Sequence, residues 1–256
     1  MSGAAIQRPL ALITGGMRRL GAAIATKLAG EGYDLALSTH AADDMEPTLA
    51  DALEASECKW HGFVADLSDP AMAAKLLGDV IVHFGRAPGL LVNNAAMFGQ
   101  DQWSDMSLDT LEAHFRLNLF APLLLSQALV NGSGEDTRPA IIHILDQRIK
   151  NPHRDQISYT LSKQALAASV RSMASAFGAR ARVNGVAPGL VIATEKYDAA
   201  LEKRLGDMMP LGALPDPASV AEAVRYLAGA KDVTGQIIFV DGGANLKSFE
   251  RDFIQL

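Results

Sequence analysis

A tyrosine and a lysine four residues apart are well placed in this sequence for proton transfer. Tyr159 and Lys163 begin a segment with helical patterning, so they project from the same face of a helix. An ammonium group near a phenol favours the phenolate and lowers the pKa of the tyrosine toward a useful range. Such a pair also occurs by chance on helix surfaces. Its position after a predicted strand, in a chain that opens with a nucleotide-type turn, favours the catalytic interpretation.

That turn is rich in glycine and lies near the start of the chain. The first predicted strand runs into residues 14–21, TGGMRRLG, and a helix follows. Glycines such as Gly15 and Gly21 let the backbone approach a pyrophosphate, and the helix N-terminus supplies N–H donors and a positive potential. The alternative interpretation is a tight strand-to-helix turn that binds nothing.

The charges around the turn favour NADPH as the cofactor. Arg18 and Arg19 are adjacent in a turn predicted to face phosphate, where cations would bind a second phosphate on the adenosine ribose. The second predicted strand ends in Ser38, Thr39 and His40, without the Asp or Glu that holds the ribose hydroxyls in an NAD site. The alternative is a pair of solvated arginines at a helix start.

Repeated strand–helix units must position these side chains. Short, continuous apolar runs are typical of parallel strands that are covered on both faces, and helical patterns separate them. The predicted strands are residues 10–14, 34–39, 62–65, 90–93, 140–145, 182–186 and 236–240. This alternation predicts an α/β fold: a single doubly wound Rossmann domain over residues 1–256, with a seven-stranded parallel sheet and helices on both faces.

One segment, residues 188–215, departs from this alternation. It combines glycine, proline and charged residues with a helical piece near residues 199–205. Segments of this kind often cover an active site, so we expect it to form a mobile cover over the substrate.

The composition is that of an ordinary globular protein that binds a small molecule. The 256 residues are 49% hydrophobic and 20% charged, which is enough apolar mass for a sizeable core. The formal net charge of −6 argues against nucleic-acid or acidic-membrane partners. Cys58 is the only cysteine, and no apolar run approaches the roughly 18 residues of a membrane helix. We therefore expect a cytoplasmic protein, and the histidine spacing predicts no metal site.

Several short segments together resemble the short-chain dehydrogenase/reductase family over almost the whole chain. They are residues 14–21, Asp66-Leu67, residues 93–96 (NNAA), Asn118, Tyr159-x-x-x-Lys163, Pro188-Gly189 and Asp241-Gly242-Gly243. The resemblance implies that Asp66 and Leu67 flank the adenine and that Asn93 supports the central strands beside the cofactor. The residues expected to bind the cofactor are therefore Gly15, Arg18, Arg19, Leu20, Gly21, Thr39, His40, Asp66, Leu67, Asn93, Ala95, Pro188 and Gly189.

The same resemblance implies a catalytic arrangement and an assembly. Tyr159 is expected to be the proton donor, Lys163 to hold the nicotinamide ribose, and Asn118 to anchor a proton-relay water. The family resemblance also implies a homotetramer, with one interface formed by the helices around residues 107–131 and 159–178.

Three departures from the family pattern narrow the resemblance. Arg19 replaces the middle glycine of the first motif, Ala96 replaces the last glycine of Asn-Asn-Ala-Gly, and Asp146 replaces the serine thirteen residues before the tyrosine. With Phe98, these features resemble pteridine reductases and the related dihydromonapterin and dihydrofolate reductases. In that subgroup an aromatic at the Phe98 position stacks a flat pterin, and an arginine at the Arg19 position helps hold phosphate and substrate.

A carboxyl group beside Tyr159 favours reduction of a C=N bond. A reacting ketone develops negative charge on its oxygen, which the Asp146 carboxylate would repel, whereas the nitrogen of an imine gains a proton. We therefore expect NADPH-dependent reduction of a dihydropterin or dihydrofolate type of substrate. The alternatives are a ketone or 3-oxoacyl-thioester reductase, a nucleotide-sensing binding protein, and, for Phe98, a core aromatic beneath its loop.

Overall fold

A single parallel sheet of seven strands forms the centre of the structure, a computed structural model that describes residues 7–41, 45–134, 137–191 and 198–251. The strands lie in the order β3-β2-β1-β4-β5-β6-β7. Their bounds are β1 Leu10–Ile13, β2 Asp34–Thr39, β3 Trp60–Val64, β4 Leu90–Asn93, β5 Ala140–Ile144, β6 Arg182–Pro188 and β7 Ile237–Val240. The predicted fold class is confirmed, because every strand pair within these residues is parallel.

Helices cover both faces of the sheet. Their bounds are α1 Arg19–Gly30, α2 Pro47–Ser56, α3 Pro70–Phe84, α4 Leu108–Phe115, α5 Ala121–Gly132, α6 Ile157–Phe177, α7 Ala199–Met208 and α8 Pro217–Gly229. Ile24, Leu49 and Val224 bring α1, α2 and α8 into one core layer. Leu76 and Leu125 bring α3 and α5 into the layer on the other side. Among the described residues, no helix is long and apolar enough to cross a bilayer.

Strand β3 begins two residues before the predicted segment 62–65. It is an edge strand that pairs only with β2, with Trp60 opposite Leu35. Its side chains are exposed or half-buried rather than continuously buried, so no apolar run in the sequence marks where the strand begins. The pairing partner, rather than the local composition, determines where this strand starts.

The predicted helix over residues 107–131 is divided by a π-helical turn. Helix α4 ends at Phe115, the π-helical turn spans Arg116–Phe120, and α5 begins at Ala121. Such turns insert an extra residue into a helix and occur frequently at functional sites. Here the turn carries the fully buried Asn118.

The order in which successive strands are added to the sheet reverses between β1 and β4, which are parallel neighbours. Ligands of open α/β sheets bind in the crevice outside the carboxyl ends of the strands at such a point. Asn94 ties the two strand ends together, because its Nδ2 donates to the carbonyl oxygens of Thr14 and Gly15 at 2.9 and 3.0 Å. The Thr14 hydroxyl accepts the N–H groups of Asn94 and Ala95, both at 2.9 Å. The crevice is therefore held in shape by hydrogen bonds from the chain itself.

Candidate active site

A cavity of about 440 Å³ opens at this crevice. Ten of the predicted cofactor residues line it: Gly15, Arg18, Arg19, Leu20, Gly21, Thr39, His40, Asp66, Leu67 and Ala95. Asn94 and Ala96 also line the cavity. Asn94 was predicted only as part of the NNAA motif, although its side chain joins β1 to β4.

Gly15 and Gly21 give the glycine-rich turn a backbone conformation and a packing that a residue with a side chain would not allow. Gly15 has φ +58°, in the left-handed region that favours glycine. A Cβ atom built on Gly21 would lie 1.9 Å from the carbonyl oxygen of Gly15 and 2.8 Å from the Asn94 Nδ2. The turn is thus a backbone cradle at the N-terminus of α1, which is the arrangement that receives a dinucleotide pyrophosphate. The residues present fit an NADP-type cofactor.

Two arginines border this cradle with exposed side chains. Arg18 is the extended residue before α1, and Arg19 is its first residue. Arg19 has φ +50°, so it occupies a left-handed position where the family usually has glycine. Its backbone N–H donates to the Glu46 carboxylate. Glu46 was not predicted, because its contact with Arg19 joins residues that are far apart in sequence and belongs to no local motif.

Asp66 and His40 both line the larger cavity and lie next to each other. The Asp66 Oδ1 accepts the N–H and hydroxyl of Ser68 at 3.0 and 2.6 Å. These hydrogen bonds, with a smaller contribution from His40, hold the pKa of Asp66 below its usual value. The His40 Nδ1 lies 3.9 Å from the same carboxylate oxygen. Both side chains are more than half exposed and accessible to a ligand.

A second cavity of about 240 Å³ adjoins the first. It is lined by the predicted residues Asp146, Tyr159, Lys163, Pro188 and Gly189. The two cavities share three lining residues, Leu20, Asn94 and Ala96. The predicted cofactor and proton-transfer residues therefore line neighbouring parts of one crevice.

The tyrosine and the aspartate of the second cavity are in direct contact. The Tyr159 Oη donates a hydrogen bond to the Asp146 Oδ2 at 2.8 Å. Asp146 follows β5 and caps a short 3₁₀ turn, Gln147–Ile149, by accepting the Arg148 N–H on Oδ1 at 2.8 Å. Both carboxylate oxygens are thus engaged, one by the backbone and one by the phenol.

Lys163 lies one helical turn after Tyr159 and is buried. Its Nζ donates to the Ile144 carbonyl oxygen at 2.8 Å and lies 5.9 Å from the centre of the Tyr159 ring. Burial lowers the pKa of Lys163 to about 8, and the nearby Asp146 charge opposes that shift. The pKa of Lys163 therefore lies near neutral pH, where a change in the charge of a neighbouring group can change the protonation of the lysine.

Asn118 and Asn93 hold the elements around the crevice and do not line either cavity. The Asn118 amide donates to the Met97 carbonyl oxygen and the Ser162 hydroxyl, both at 3.0 Å, and accepts the Met97 N–H at 2.9 Å. It thereby joins the loop after β4 to α6. Asn93 lies 3.3 Å from the Ser126 hydroxyl and 3.1 Å from the His143 ring.

Phe98 contacts the Tyr159 ring but is not among the lining residues of either cavity. The two ring centres are 4.7 Å apart with an interplanar angle of 72°, an edge-to-face arrangement. The side chain is 50% exposed, which excludes the core-aromatic alternative. Arg148 places its guanidinium 5.6 Å from the Phe98 ring centre. Arg148 was not predicted, although its position two residues after Asp146 is a usable signal.

The described residues contain no group of three or more His, Cys, Asp or Glu side chains that could hold a metal ion. Two histidines that are distant in sequence, His61 and His83, do meet, with ring centres 3.9 Å apart and an interplanar angle of 20°. Their ring faces stack, and burial lowers the pKa of His61.

Comparison with known proteins places this fold and site in one enzyme family. The family model described as enoyl-(acyl carrier protein) reductase, within the short-chain dehydrogenase/reductase family, matches residues 16–245. The chain belongs to the short-chain dehydrogenase/reductase family of oxidoreductases, so the predicted family is confirmed.

Individual relatives include both pterin and ketone enzymes. Pteridine reductase 1 of Leishmania tarentolae is 31% identical, over 93% of this chain and 96% of the relative. A putative ketoacyl reductase of the granaticin polyketide synthase of Streptomyces violaceoruber is also 31% identical, over 94% of this chain and 97% of the relative. The solved structure of FolM alternative dihydrofolate reductase 1 from Brucella canis, complexed with NADP, has a TM-score of 0.85 and 31% identity, covering 95% of this chain and 96% of that chain. The predicted resemblance to the pteridine reductase subgroup agrees with these similarities.

Proposed function

We propose that the protein is an NADPH-dependent reductase of a pterin-like C=N bond in a dihydropterin or dihydrofolate type of substrate. The observation that carries the proposal is the 2.8 Å hydrogen bond from Tyr159 to Asp146, a carboxyl group in place of the family's usual serine. The similarity to an NADP complex of an alternative dihydrofolate reductase and to a pteridine reductase supports the same function. Exposed Arg18 and Arg19 at the glycine-rich turn support NADPH over NADH.

The cofactor would lie along the crevice, held by the glycine-rich turn and the residues that line the larger cavity. When bound, NADPH supplies the hydride for the reduction. The chain supplies the proton: Tyr159 delivers it to the substrate nitrogen, and Asp146 assists that delivery through its hydrogen bond to the phenol. The buried Lys163 stabilises the phenolate that remains and holds the nicotinamide ribose. Asn118 fixes α6 against the loop that carries Phe98.

Ketone reduction is the second candidate, because a ketoacyl reductase is as similar to this chain as the pteridine reductase is. One assay separates the two: NADPH oxidation followed at 340 nm with dihydrobiopterin, dihydromonapterin, dihydrofolate and a panel of ketones. We expect at least one dihydropterin or dihydrofolate to have a kcat/KM well above that of every ketone. A preference for ketones would contradict the proposed substrate class and leave the family assignment intact.

Phe98 should form one wall of a slot for a flat substrate ring. A stacked aromatic pair contributes about 0.5–1.5 kcal/mol beyond area burial, so Phe98→Ala should raise the KM for the dihydropterin by about 3- to 10-fold. The Kd for NADPH should stay nearly unchanged. Tyr226→Ala is the matched control, since Tyr226 is a similarly exposed aromatic, at 52%, on α8. A Phe98→Ala variant with an unchanged KM for the dihydropterin would contradict the stacking role.

Three broader expectations from the sequence remain proposals. We propose that residues 1–256 form one domain and that the segment 188–215 covers the substrate. Of that segment, residues 192–197 lie outside the described residues, while Leu190 and Val191 line the smaller cavity and α7 contains the predicted helical piece. The homotetramer also remains a proposal, and the exposed Leu108 and Phe120 on its expected interface helices support it.

A further inference from the structure

An arginine is buried beside the phenol and carboxyl groups of the second cavity. Arg148 has a side chain only 4% exposed, and arginine is almost never buried unless it is paired. Its guanidinium carbon lies 5.6 Å from the ring centre of Phe98 and 5.9 Å from that of Tyr159, within the range of cation–π attraction. One cation therefore contacts both aromatic rings that border the proposed substrate slot.

The same residue holds one oxygen of the carboxyl group that faces the tyrosine. The Arg148 backbone N–H donates to the Asp146 Oδ1 at 2.8 Å, and its Nε lies 3.9 Å from that oxygen. The other oxygen, Oδ2, receives the Tyr159 hydroxyl at 2.8 Å. Because the Arg148 backbone N–H binds Oδ1, the carboxylate is oriented with Oδ2 toward the phenol.

The far side of the guanidinium reaches the start of the helix that carries the tyrosine. The Arg148 Nη1 donates to the Oε1 of Gln156, the fully buried residue before α6. Gln156 has φ +55°, a left-handed conformation that is unfavourable for a residue with a Cβ. Such conformations persist where the surroundings hold them and cluster at functional sites. Here the Gln156 N–H donates to the Asp101 carbonyl oxygen at 2.7 Å, and Arg148 holds its side chain.

We propose that Arg148 is a positioning residue for the reaction and acts through Asp146. Its guanidinium anchors the turn after Asp146 to the start of α6 through Gln156 and holds the Phe98 ring beside the phenol. The anchored backbone N–H of Arg148 then keeps the carboxylate turned toward the Tyr159 hydroxyl. The inference rests on the proposed proton-transfer roles of Asp146 and Tyr159. Arg148 is not one of the three positions at which the sequence departs from the family pattern.

The test compares two variants of Arg148. Arg148→Met keeps most of the side-chain length and loses the charge, and Arg148→Lys keeps the charge and loses the planar guanidinium group. Misplacement of a reacting group by about 1 Å can cost about 100-fold in rate, so we expect Arg148→Met to lower kcat by about 10- to 100-fold. The Kd for NADPH should change by less than about twofold, and Arg148→Lys should recover part of kcat. Arg154→Met is the matched control, because Arg154 lies in the same loop with a side chain that is 79% exposed.

A double-mutant cycle separates positioning through Asp146 from a structural role. Single-turnover NADPH oxidation, with the enzyme in excess over the best substrate of the panel, is measured for native protein, Arg148→Met, Asp146→Asn and the double variant. We expect the arginine substitution to cost less than about twofold once Asp146 is already changed. If Arg148→Met shows no cooperative melting transition, Arg148→Lys takes its place in the same cycle.

Two results would overturn the inference: native kcat in the Arg148 variants, or an equal loss in both Asp146 backgrounds. Tyr159→Phe, measured in parallel, distinguishes this failure from that of the proposed function. An active Tyr159→Phe variant would contradict the proposed proton transfer by Tyr159. If Tyr159→Phe is inactive and the Arg148 variants are fully active, only the proposed role of the arginine is contradicted.

Discussion

An Asp146→Ser variant is expected to shift the ratio of dihydropterin to ketone reduction toward ketones by about 100- to 1000-fold, the magnitude typical of a single well-placed donor to a developing oxyanion. The carboxylate lies against the Tyr159 hydroxyl at 2.8 Å, where it would repel negative charge that develops on a ketone oxygen. A serine hydroxyl donates a hydrogen bond to that oxygen. For an imine the nitrogen gains a proton, so removing the carboxyl group removes assistance to proton delivery.

The measurement is kcat/KM for one dihydropterin and one ketone in the native protein and each variant. Tyr159→Phe should abolish both activities, since a positioned general acid contributes about 10²- to 10⁴-fold. Asp79→Ser is the matched control, because Asp79 is a half-exposed carboxylate on α3 that pairs with Lys75. Unchanged dihydropterin reduction in Asp146→Ser would show that the pterin assignment is wrong and would leave the family assignment standing.

The second large effect should come from the two arginines at the glycine-rich turn. Replacing Arg18 and Arg19 together by alanine should weaken NADPH binding about 100-fold or more while changing NADH binding far less. Each charge-assisted hydrogen bond to a phosphate contributes about 1.5–3 kcal/mol, and only NADPH carries the 2′-phosphate. The Kd values of both cofactors can be measured by quenching of intrinsic tryptophan fluorescence.

Arg225→Ala serves as the control for the loss of positive charge, because Arg225 pairs with Glu222 on α8 and does not line the larger cavity. It should leave both Kd values close to native. Equal weakening of NADPH and NADH in the double variant would mean that the arginines do not distinguish the two cofactors.

Most of the fold could be predicted because its signals are local. Parallel strands buried on both faces, such as β1 and β4, are continuous apolar runs, and the observed bounds differ little from the predicted ones. The edge strand β3 was less accurately predicted because it is only partly covered. The π-helical turn around Asn118 could not be predicted, since the apolar pattern continues through it and its buried hydrogen bonds are to the loop after β4 and to α6.

The site was predictable where a motif carries the chemistry. The contact between Asp146 and Tyr159 follows from their separation in the family pattern, and the structure places them within hydrogen-bonding distance. The surrounding contacts of Arg148 and Gln156 were not predictable. A glutamine with positive φ has no turn signature, and its conformation depends on partners that meet only in the folded chain.

At Arg19, the backbone conformation lowers the stability of the fold, while the side chain is proposed to bind the cofactor. A residue with a Cβ at φ +50° costs the folded state on the order of 1–3 kcal/mol, and glycine would relieve that cost. Under the proposed function, glycine would also remove a cation from the site of the 2′-phosphate. Selection for thermostability alone would therefore drive this position toward glycine, and selection for NADPH use would keep the arginine. A more stable relative with glycine here should be a poorer discriminator between the two cofactors.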